Sequence, residues 1–220
     1  AEDSTVDAAR RFMNAYKPEV YAKMRDDTTR TSAYRDAIMS LAPNRTVLDI
    51  GTGGLSLLAL FAAEAGAKHV YAIEANRDAY EQAVDAVKTA NMSNKVTVLH
   101  GHSFDVTLPQ QVDLVVHEIL GEVAGIEGVA RVIRDAQHRL LSAFPSPLRT
   151  SIPASATSWV AACEFPDAEY WASLTHPVIL PPGATTLKVW NFPNRNILSG
   201  WLEMERLDFE SEGGLAEVDR

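Results

Sequence analysis

Apolar and polar positions along the first two thirds of the chain follow a pattern that predicts strands and helices in turn. Short β-branched runs predict strands at residues 46–50, 69–73, 96–100 and 112–116. Apolar residues at helical spacing predict helices at residues 4–16, 29–41, 55–65, 77–91 and 124–141. Strands that alternate with helices are typical of an α/β fold with a parallel sheet and right-handed crossovers.

The pattern changes near Pro145 and Pro147, where prolines begin to interrupt β-rich stretches at 156–163, 185–190 and 200–209. These stretches predict a C-terminal antiparallel β appendage, a partial barrel. The expected organisation has N-terminal helices at 1–42, a Rossmann-like domain at 43–149, and a β-rich region with an acidic tail at 150–220.

The composition of the 220 residues changes this picture only by exclusion. A net charge of -9 argues against nucleic acid as a partner, because phosphate binding needs a basic face. No apolar run approaches the roughly 20 residues that span a bilayer, so no membrane association is expected. The only cysteine, Cys163, suits a reducing compartment, and the cytoplasm is therefore predicted. No Cys/His/Asp cluster has metal-binding spacing, so no metal is predicted.

A glycine-rich turn follows the first predicted strand and opens a helix. Gly51 and Gly53 would let a ligand approach the backbone closely, while Ser56 stands where a dinucleotide fingerprint has its third glycine. Asp49 precedes the turn and is expected to order it by accepting backbone N–H bonds. Glu74, at the tip of the second strand, can accept hydrogen bonds from both ribose hydroxyls. Together these residues predict a nucleoside-containing cofactor, and the acid before the first glycine favours S-adenosylmethionine.

Two carboxylates, Glu118 and Glu127, lie nine positions apart across a glycine-containing turn. The first ends a predicted strand and the second begins a predicted helix, so the turn can bring both to one place. Two groups that only accept hydrogen bonds repel each other unless a cation lies between them. A planar guanidinium, with five donors in a fixed fork, fits this geometry best.

Four segments resemble motifs of the protein arginine methyltransferase family and follow one another along the chain in the family's order. Residues 46–66 (TVLDIGTGGLSLLALFAAEAG) and 70–74 (VYAIE) resemble its cofactor-binding motifs, and 115–127 (VVHEILGEVAGIE) is similar to its double-E loop. Residues 24–35 (MRDDTTRTSAYR) resemble its N-terminal segment.

The resemblance implies a Rossmann-like, S-adenosylmethionine-dependent enzyme that methylates arginine, with Glu118 and Glu127 as catalytic acids. It further implies that Arg30 binds the cofactor's carboxylate and that Met24 packs near its sulfonium. Ser103, which follows the third strand, is expected to meet the adenine. A homodimer is compatible with the family, and the nucleus is an alternative location in a eukaryotic cell.

Several departures from the family pattern leave alternatives open. The glycine loop is one residue out of step, His117 stands where serine is common, and the β region is short. The family's threonine–histidine–tryptophan loop is not found, since Thr175-His176-Pro177 lacks the tryptophan. Free arginine or another small guanidino compound is therefore an alternative acceptor. A catalytically weak cofactor-binding subunit is another alternative.

Overall fold

The computed structural model describes residues 26–121, 123–143, 148–167, 169–170, 192–211 and 213–215. The chain divides into two compact units, one made of residues 1–156 and 206–220, the other of 157–205. Met24, the helix predicted at 4–16, the strand predicted at 185–190 and the segment Thr175-His176-Pro177 lie outside the described residues.

Helices and strands alternate through most of the first unit, as the hydrophobic pattern predicts, although the strand Val96–His100 is followed directly by another strand, Leu114–His117. Its elements are α1 (Thr28–Leu41), β1 (Thr46–Ile50), α2 (Leu57–Glu64), β2 (His69–Glu74), α3 (Arg77–Thr89), β3 (Val96–His100), β4 (Leu114–His117), α4 (Val129–Arg139) and β5 (Ser151–Ile152). A 3₁₀ helix, Ala124–Glu127, lies between β4 and α4. No helix in the described ranges is long and apolar enough to cross a bilayer.

The five strands form one parallel sheet in the order β3-β2-β1-β4-β5. The strand order reverses between β1 and its neighbour β4, where Ile50 is in register with His117. In open α/β sheets, ligands bind beyond the carboxyl ends of the strands at such a reversal. The topology therefore places a ligand site at the ends of β1, β2 and β4.

Buried apolar side chains cover both faces of the sheet. On one face α4 packs with Leu48, Ile73 and Val115, together with Phe209 from the end of the chain. On the other face α1 and α2 pack on a second cluster that includes Val116. A sheet buried on both faces explains why its strands are near-continuous apolar runs.

The remaining strands, β6 (Ser155–Val160) and β7 (Leu202–Asp208), pair in a small antiparallel sheet. This is the predicted β appendage, and with the parallel sheet it confirms the predicted fold class. A second 3₁₀ helix, Asn194–Asn196, precedes β7.

The single helix predicted at 124–141 is wrong. Gly128 adopts a left-handed conformation, with φ of 79°, and separates the 3₁₀ helix from α4. Helical apolar spacing continues through this break, because the 3₁₀ turn and α4 both bury residues against the same core, including Ala124 and Val129. Periodicity alone therefore could not reveal the break.

Candidate active site

The carboxyl ends of β1, β2 and β4 bring the predicted cofactor and acceptor residues to one edge of the sheet. Asp49 lies near the end of β1, Glu74 ends β2, and Glu118 directly follows β4. β1 lies between the other two strands, so the glycine turn separates Glu74 from Glu118.

The glycine turn uses backbone conformations that need glycine. Gly51 has φ of 73°, and its N–H donates to the carbonyl of Ile73 at 2.9 Å. A Cβ at position 51 would lie only 2.8 Å from Cγ2 of Ile119, a residue of the loop after β4. Gly53 also has positive φ, at 64°. The turn therefore lies close to the acidic loop, with no room for a side chain at position 51.

Asp49 links this turn to α2, through a hydroxyl of the turn and an N–H of the helix, whereas the sequence predicts bonds from the N–H groups of the turn itself. One carboxylate oxygen, Oδ2, accepts from the Thr52 hydroxyl at 2.6 Å and from the Ala59 N–H at 3.1 Å. The other, Oδ1, is buried and has no hydrogen-bond partner among the described residues. Burial raises the pKa of Asp49 to about 7, and the nearby Glu74 carboxylate adds to this.

Glu74 closes the other side of the turn. Its Oε2 accepts from the Gly53 N–H at 2.9 Å, and its Oε1 accepts from the Asn76 N–H at 2.8 Å. The side chain is buried, and this burial raises its pKa. The Ala75 N–H also donates to this carboxylate. Three donors leave part of the carboxylate's capacity of about four lone pairs unused, so it can still accept from a ligand hydroxyl.

Glu118 holds a guanidinium from its own chain. Nη1 of Arg30, on α1, donates to Oε1 of Glu118 at 3.1 Å, with side chains 29% and 18% exposed. Burial raises the pKa of Glu118; the positive charge of Arg30 opposes this rise and the negative charge of Glu127 adds to it. The two glutamates are therefore close enough to interact electrostatically, with a guanidinium at one of them.

The loop between them is tightly curled. A Cβ at Gly121 would come 3.4 Å from Cγ of Glu127, so the turn folds the last residue of the 3₁₀ helix back over the chain. Both glutamates are partly buried. Glu127 thus lies close to residue 121 of the loop, at the end of a 3₁₀ turn and not in a long helix, and the convergence of the two carboxylates on one place stays a prediction.

Tyr34 is a site residue that sequence reasoning missed. Its hydroxyl donates to the backbone carbonyl of His117 at 3.0 Å, one residue before Glu118. Burial raises its pKa, and Glu118 and Asp49 raise it further while Arg30 lowers it. Tyr34 lies four residues after Arg30 on α1, and residues at this spacing share a helix face. That spacing was the available signal.

His117 and Ser103 are both buried next to the site. The His117 ring packs edge-on against Phe209 at 4.8 Å, and neither of its nitrogens has a hydrogen-bond partner among the described residues. Burial lowers its pKa to about 3, so it is neutral at physiological pH. The carbonyl of Ser103 accepts from the Arg139 guanidinium. The contact of Ser103 with adenine stays a prediction.

No three His, Cys, Asp or Glu side chains in the described part of the chain gather as metal ligands would.

A family model described as ribosomal protein L11 methyltransferase (PrmA) matches residues 27–174, which include the glycine turn and the acidic loop. The chain belongs to this methyltransferase family. The match begins just before α1, so that the helix carrying Arg30 is part of the family's common unit.

Curated relatives of this chain are protein arginine N-methyltransferases, which confirms the predicted resemblance. A probable protein arginine N-methyltransferase 6 from Arabidopsis thaliana is 36% identical over 151 residues, or 67% of this chain and 33% of that protein. Protein arginine N-methyltransferase 1 from Schizosaccharomyces pombe is 32% identical over 173 residues, or 76% of this chain and 48% of that protein. The chain thus spans between a third and a half of these relatives.

Solved structures support the fold of this chain. Arabidopsis thaliana protein arginine methyltransferase 10 matches with a TM-score of 0.74 and 23% identity, covering 93% of this chain and 66% of that one. The Trypanosoma brucei PRMT1 enzyme-prozyme heterotetrameric complex with AdoHcy matches with a TM-score of 0.67 and 21% identity, covering 87% and 62%.

Proposed function

We propose that this chain transfers a methyl group from S-adenosylmethionine to the guanidinium of arginine in protein substrates. The observation that carries the proposal is the Arg30–Glu118 ion pair beside Glu127. It places a guanidinium against one member of a pair of acids that interact with each other. The names of the curated relatives support the same acceptor.

The residues around the glycine turn fit this cofactor. Oδ1 of Asp49 is buried without a partner among the described residues, and Gly51 leaves no room for a side chain. The Glu74 carboxylate is buried on the other side of the turn, and together these residues form a polar cradle. Asp49, Gly51, Gly53 and Glu74 would hold the nucleoside, and Arg30 would hold the carboxylate. When bound, S-adenosylmethionine supplies an electrophilic methyl group on its sulfonium.

The two glutamates would make arginine a competent nucleophile. A guanidinium is a poor nucleophile because its nitrogen lone pairs are delocalised. Bidentate contacts to Glu118 and Glu127 would fix its plane and concentrate positive charge on the nitrogens that they bind. The remaining nitrogen is then free to face the methyl group. The raised pKa of Glu118 also suits it to accept the proton that the methylated nitrogen loses.

The identity of the acceptor, the oligomeric state and the cellular location are also proposals. The family model's name suggests ribosomal protein L11 as one protein acceptor, and free arginine is the small-molecule alternative. A homodimer is proposed because a relative forms a heterotetramer. A cytoplasmic location, or a nuclear one in a eukaryotic cell, stays a prediction that rests on composition.

The test is an assay of the full chain with methyl-labelled cofactor. It offers an arginine-rich peptide, the same peptide with lysine in place of arginine, ribosomal protein L11 and free arginine. Label in the arginine peptide, with or without label in L11, and none in the lysine peptide or free arginine, is the expected result. Label in free arginine alone supports the small-guanidino alternative, and label in L11 together with the lysine peptide would overturn the choice of arginine.

A separate measurement of S-adenosylhomocysteine binding by calorimetry distinguishes the remaining case. Cofactor binding without transfer to any acceptor would contradict the proposal and support the alternative of a regulatory subunit.

A further inference from the structure

Tyr34 connects the helix that carries Arg30 to the strand that carries Glu118. Its hydroxyl donates to the carbonyl of His117, 83 positions further along the chain. Its ring packs against the core cluster formed by α1, α2 and the sheet. The ring is therefore held by packing, and the hydroxyl is held by a directed hydrogen bond.

The end of β4 needs such support because it has a strand neighbour on one side only. His117 is in register with Ile50 of β1, whereas β5 pairs with Val115 and Val116 and then ends. The peptide that joins His117 to Glu118 thus lies at the edge of the sheet's hydrogen-bonded region. Tyr34 supplies a donor from outside the sheet at that peptide.

Two donors on one face of α1 therefore hold adjacent groups of the acidic loop. Arg30 donates to the carboxylate of Glu118, and Tyr34 donates to the carbonyl immediately before it. The start of α1 is itself fixed, because the Asp27 side chain accepts from the Arg30 N–H at 3.2 Å. In this structure the position of Glu118 is thus set relative to α1 at two points, of which the Tyr34 bond would remain when Arg30 turns to the cofactor's carboxylate.

We infer that Tyr34 is a positioning residue for methyl transfer, which sets the backbone of Glu118 by its hydroxyl bond to His117. The inference rests on the proposed function, since it assigns Tyr34 to the acid that orients the guanidinium. Loss of the Tyr34 hydroxyl should therefore lower the rate at saturating substrate and leave the affinity for the cofactor unchanged. Misplacing an orienting group by a fraction of an ångström slows an in-line transfer without preventing binding.

The experiment compares Tyr34→Phe with the wild-type full chain. Phenylalanine keeps the ring packing and removes only the hydroxyl. We expect kcat to fall about tenfold, in line with the loss of one directed hydrogen bond at a buried carbonyl. We expect the Kd of S-adenosylhomocysteine to change less than about twofold, since that ligand does not use the bond. The matched control is Tyr71→Phe, a buried tyrosine of β2 in the other core cluster, which should leave kcat unchanged.

A double-mutant cycle separates positioning from general structural support. The rate of methyl transfer at saturating cofactor and arginine peptide is measured for Tyr34→Phe, Glu118→Gln and the double variant. If Tyr34 acts through Glu118, the double variant should transfer methyl groups as slowly as Glu118→Gln alone. Additive losses would overturn the inference.

A measurement on the wild-type protein does not depend on any variant folding. Tyrosine labelled with ¹³C at Cζ reports slow exchange of a bonded hydroxyl proton with deuterated solvent. Slow exchange at Tyr34 is expected, and fast exchange would overturn the hydrogen bond itself. An active wild type whose Tyr34→Phe variant keeps full kcat would overturn this inference alone, whereas a wild type that methylates no arginine would overturn the proposed function as well.

Discussion

The site contains two pairs of carboxylates that are stabilised in different ways. Asp49 and Glu74, at the cofactor end, accept from backbone N–H groups of the glycine turn, of the start of α2 and of Asn76, and Asp49 also accepts from the Thr52 hydroxyl. Glu118, at the acceptor end, is held by Arg30, which lies 88 positions away, and its partner Glu127 repels it. The first pair is therefore held in place by the chain segments around it, while the stability of the second pair depends on which cation lies beside it.

The cofactor end is therefore the part of the site that binds without rearrangement, and the acceptor end is the part that selects its ligand. Carboxylates held by donors that are fixed in the fold form a rigid cradle, in which Oδ1 of Asp49 is the oxygen without a partner among the described residues. Carboxylates that face each other need a cation, and the cation can be exchanged. The acceptor end is therefore the part of the site at which an incoming guanidinium competes with one from the protein.

The largest expected effect is at the acceptor end. Glu118→Gln removes the charge that orients the guanidinium, and we expect methyl transfer to fall on the order of 1000-fold. Cofactor affinity should stay nearly unchanged, because the cradle around Asp49 and Glu74 is intact. The measurement is transfer to an arginine peptide beside calorimetry with S-adenosylhomocysteine.

Glu64→Gln, at an exposed acid of α2 that pairs with Arg35, is the control and should keep wild-type activity. If Glu118→Gln transfers methyl groups at the wild-type rate, the role given to the two acids is wrong.

At the cofactor end, Asp49 makes folding stability depend on pH. Its pKa is raised by burial from 3.8 to about 7, so the folded state binds the proton more tightly than the unfolded state. The contribution of Asp49 to stability is thus greatest below pH 3.8 and is lost as pH rises towards 7. One pKa unit corresponds to about 1.4 kcal/mol, so the loss amounts to a few kcal/mol.

Urea unfolding of the wild type and of Asp49→Asn over this pH range measures the effect. The variant should lack the part of the pH dependence due to Asp49, whereas the exposed Asp85→Asn should keep the wild-type profile. Parallel profiles for the wild type and Asp49→Asn would show that Asp49 has the same pKa in the folded and unfolded states and would contradict the effect of burial.

Glu74→Ala should weaken cofactor binding and leave the acceptor end intact. It removes the acceptor of the Gly53 and Asn76 N–H groups and the expected partner of the ribose. We expect the Kd of S-adenosylhomocysteine to rise about 10- to 100-fold, from the loss of charge-assisted bonds.

The exposed Glu81→Ala, on α3, is the matched control. An unchanged Kd for Glu74→Ala would remove Glu74 from the cofactor site and leave the glycine turn as an ordinary structural turn.

The comparison of the two ends also explains what the sequence could predict. The bounds of β1 and β3, and the order of glycine turn, Glu74 and acidic loop, follow from local patterns, because strand periodicity and glycine turns act over a few residues. The break at Gly128 could not be predicted, because the 3₁₀ turn and α4 share one apolar face. The contacts of Arg30 and Tyr34 with the end of β4 are tertiary, and a single sequence gives no distance between positions so far apart.

Arg30→Ala is expected to give the smallest effect, and it links the two ends of the site. In the structure the Arg30 guanidinium lies against Glu118, where a substrate guanidinium is proposed to bind. The same Arg30 is expected to bind the cofactor's carboxylate. If both are true, Arg30 competes with the acceptor until the cofactor draws it away, and the cofactor should bind first.

Arg30→Ala should therefore have opposite effects on the two ligands. The Kd of S-adenosylhomocysteine should rise severalfold, up to about tenfold for one lost charge-assisted contact at a partly exposed site. Binding of an arginine peptide without cofactor should tighten severalfold, because Glu118 has lost its internal cation. Calorimetric titration of each ligand alone measures both, with the exposed Arg35→Ala on the same helix as the control. If peptide binding without cofactor instead weakens, Arg30 supports Glu118 and does not compete with the substrate, and the acceptor end would then be as preformed as the cofactor end.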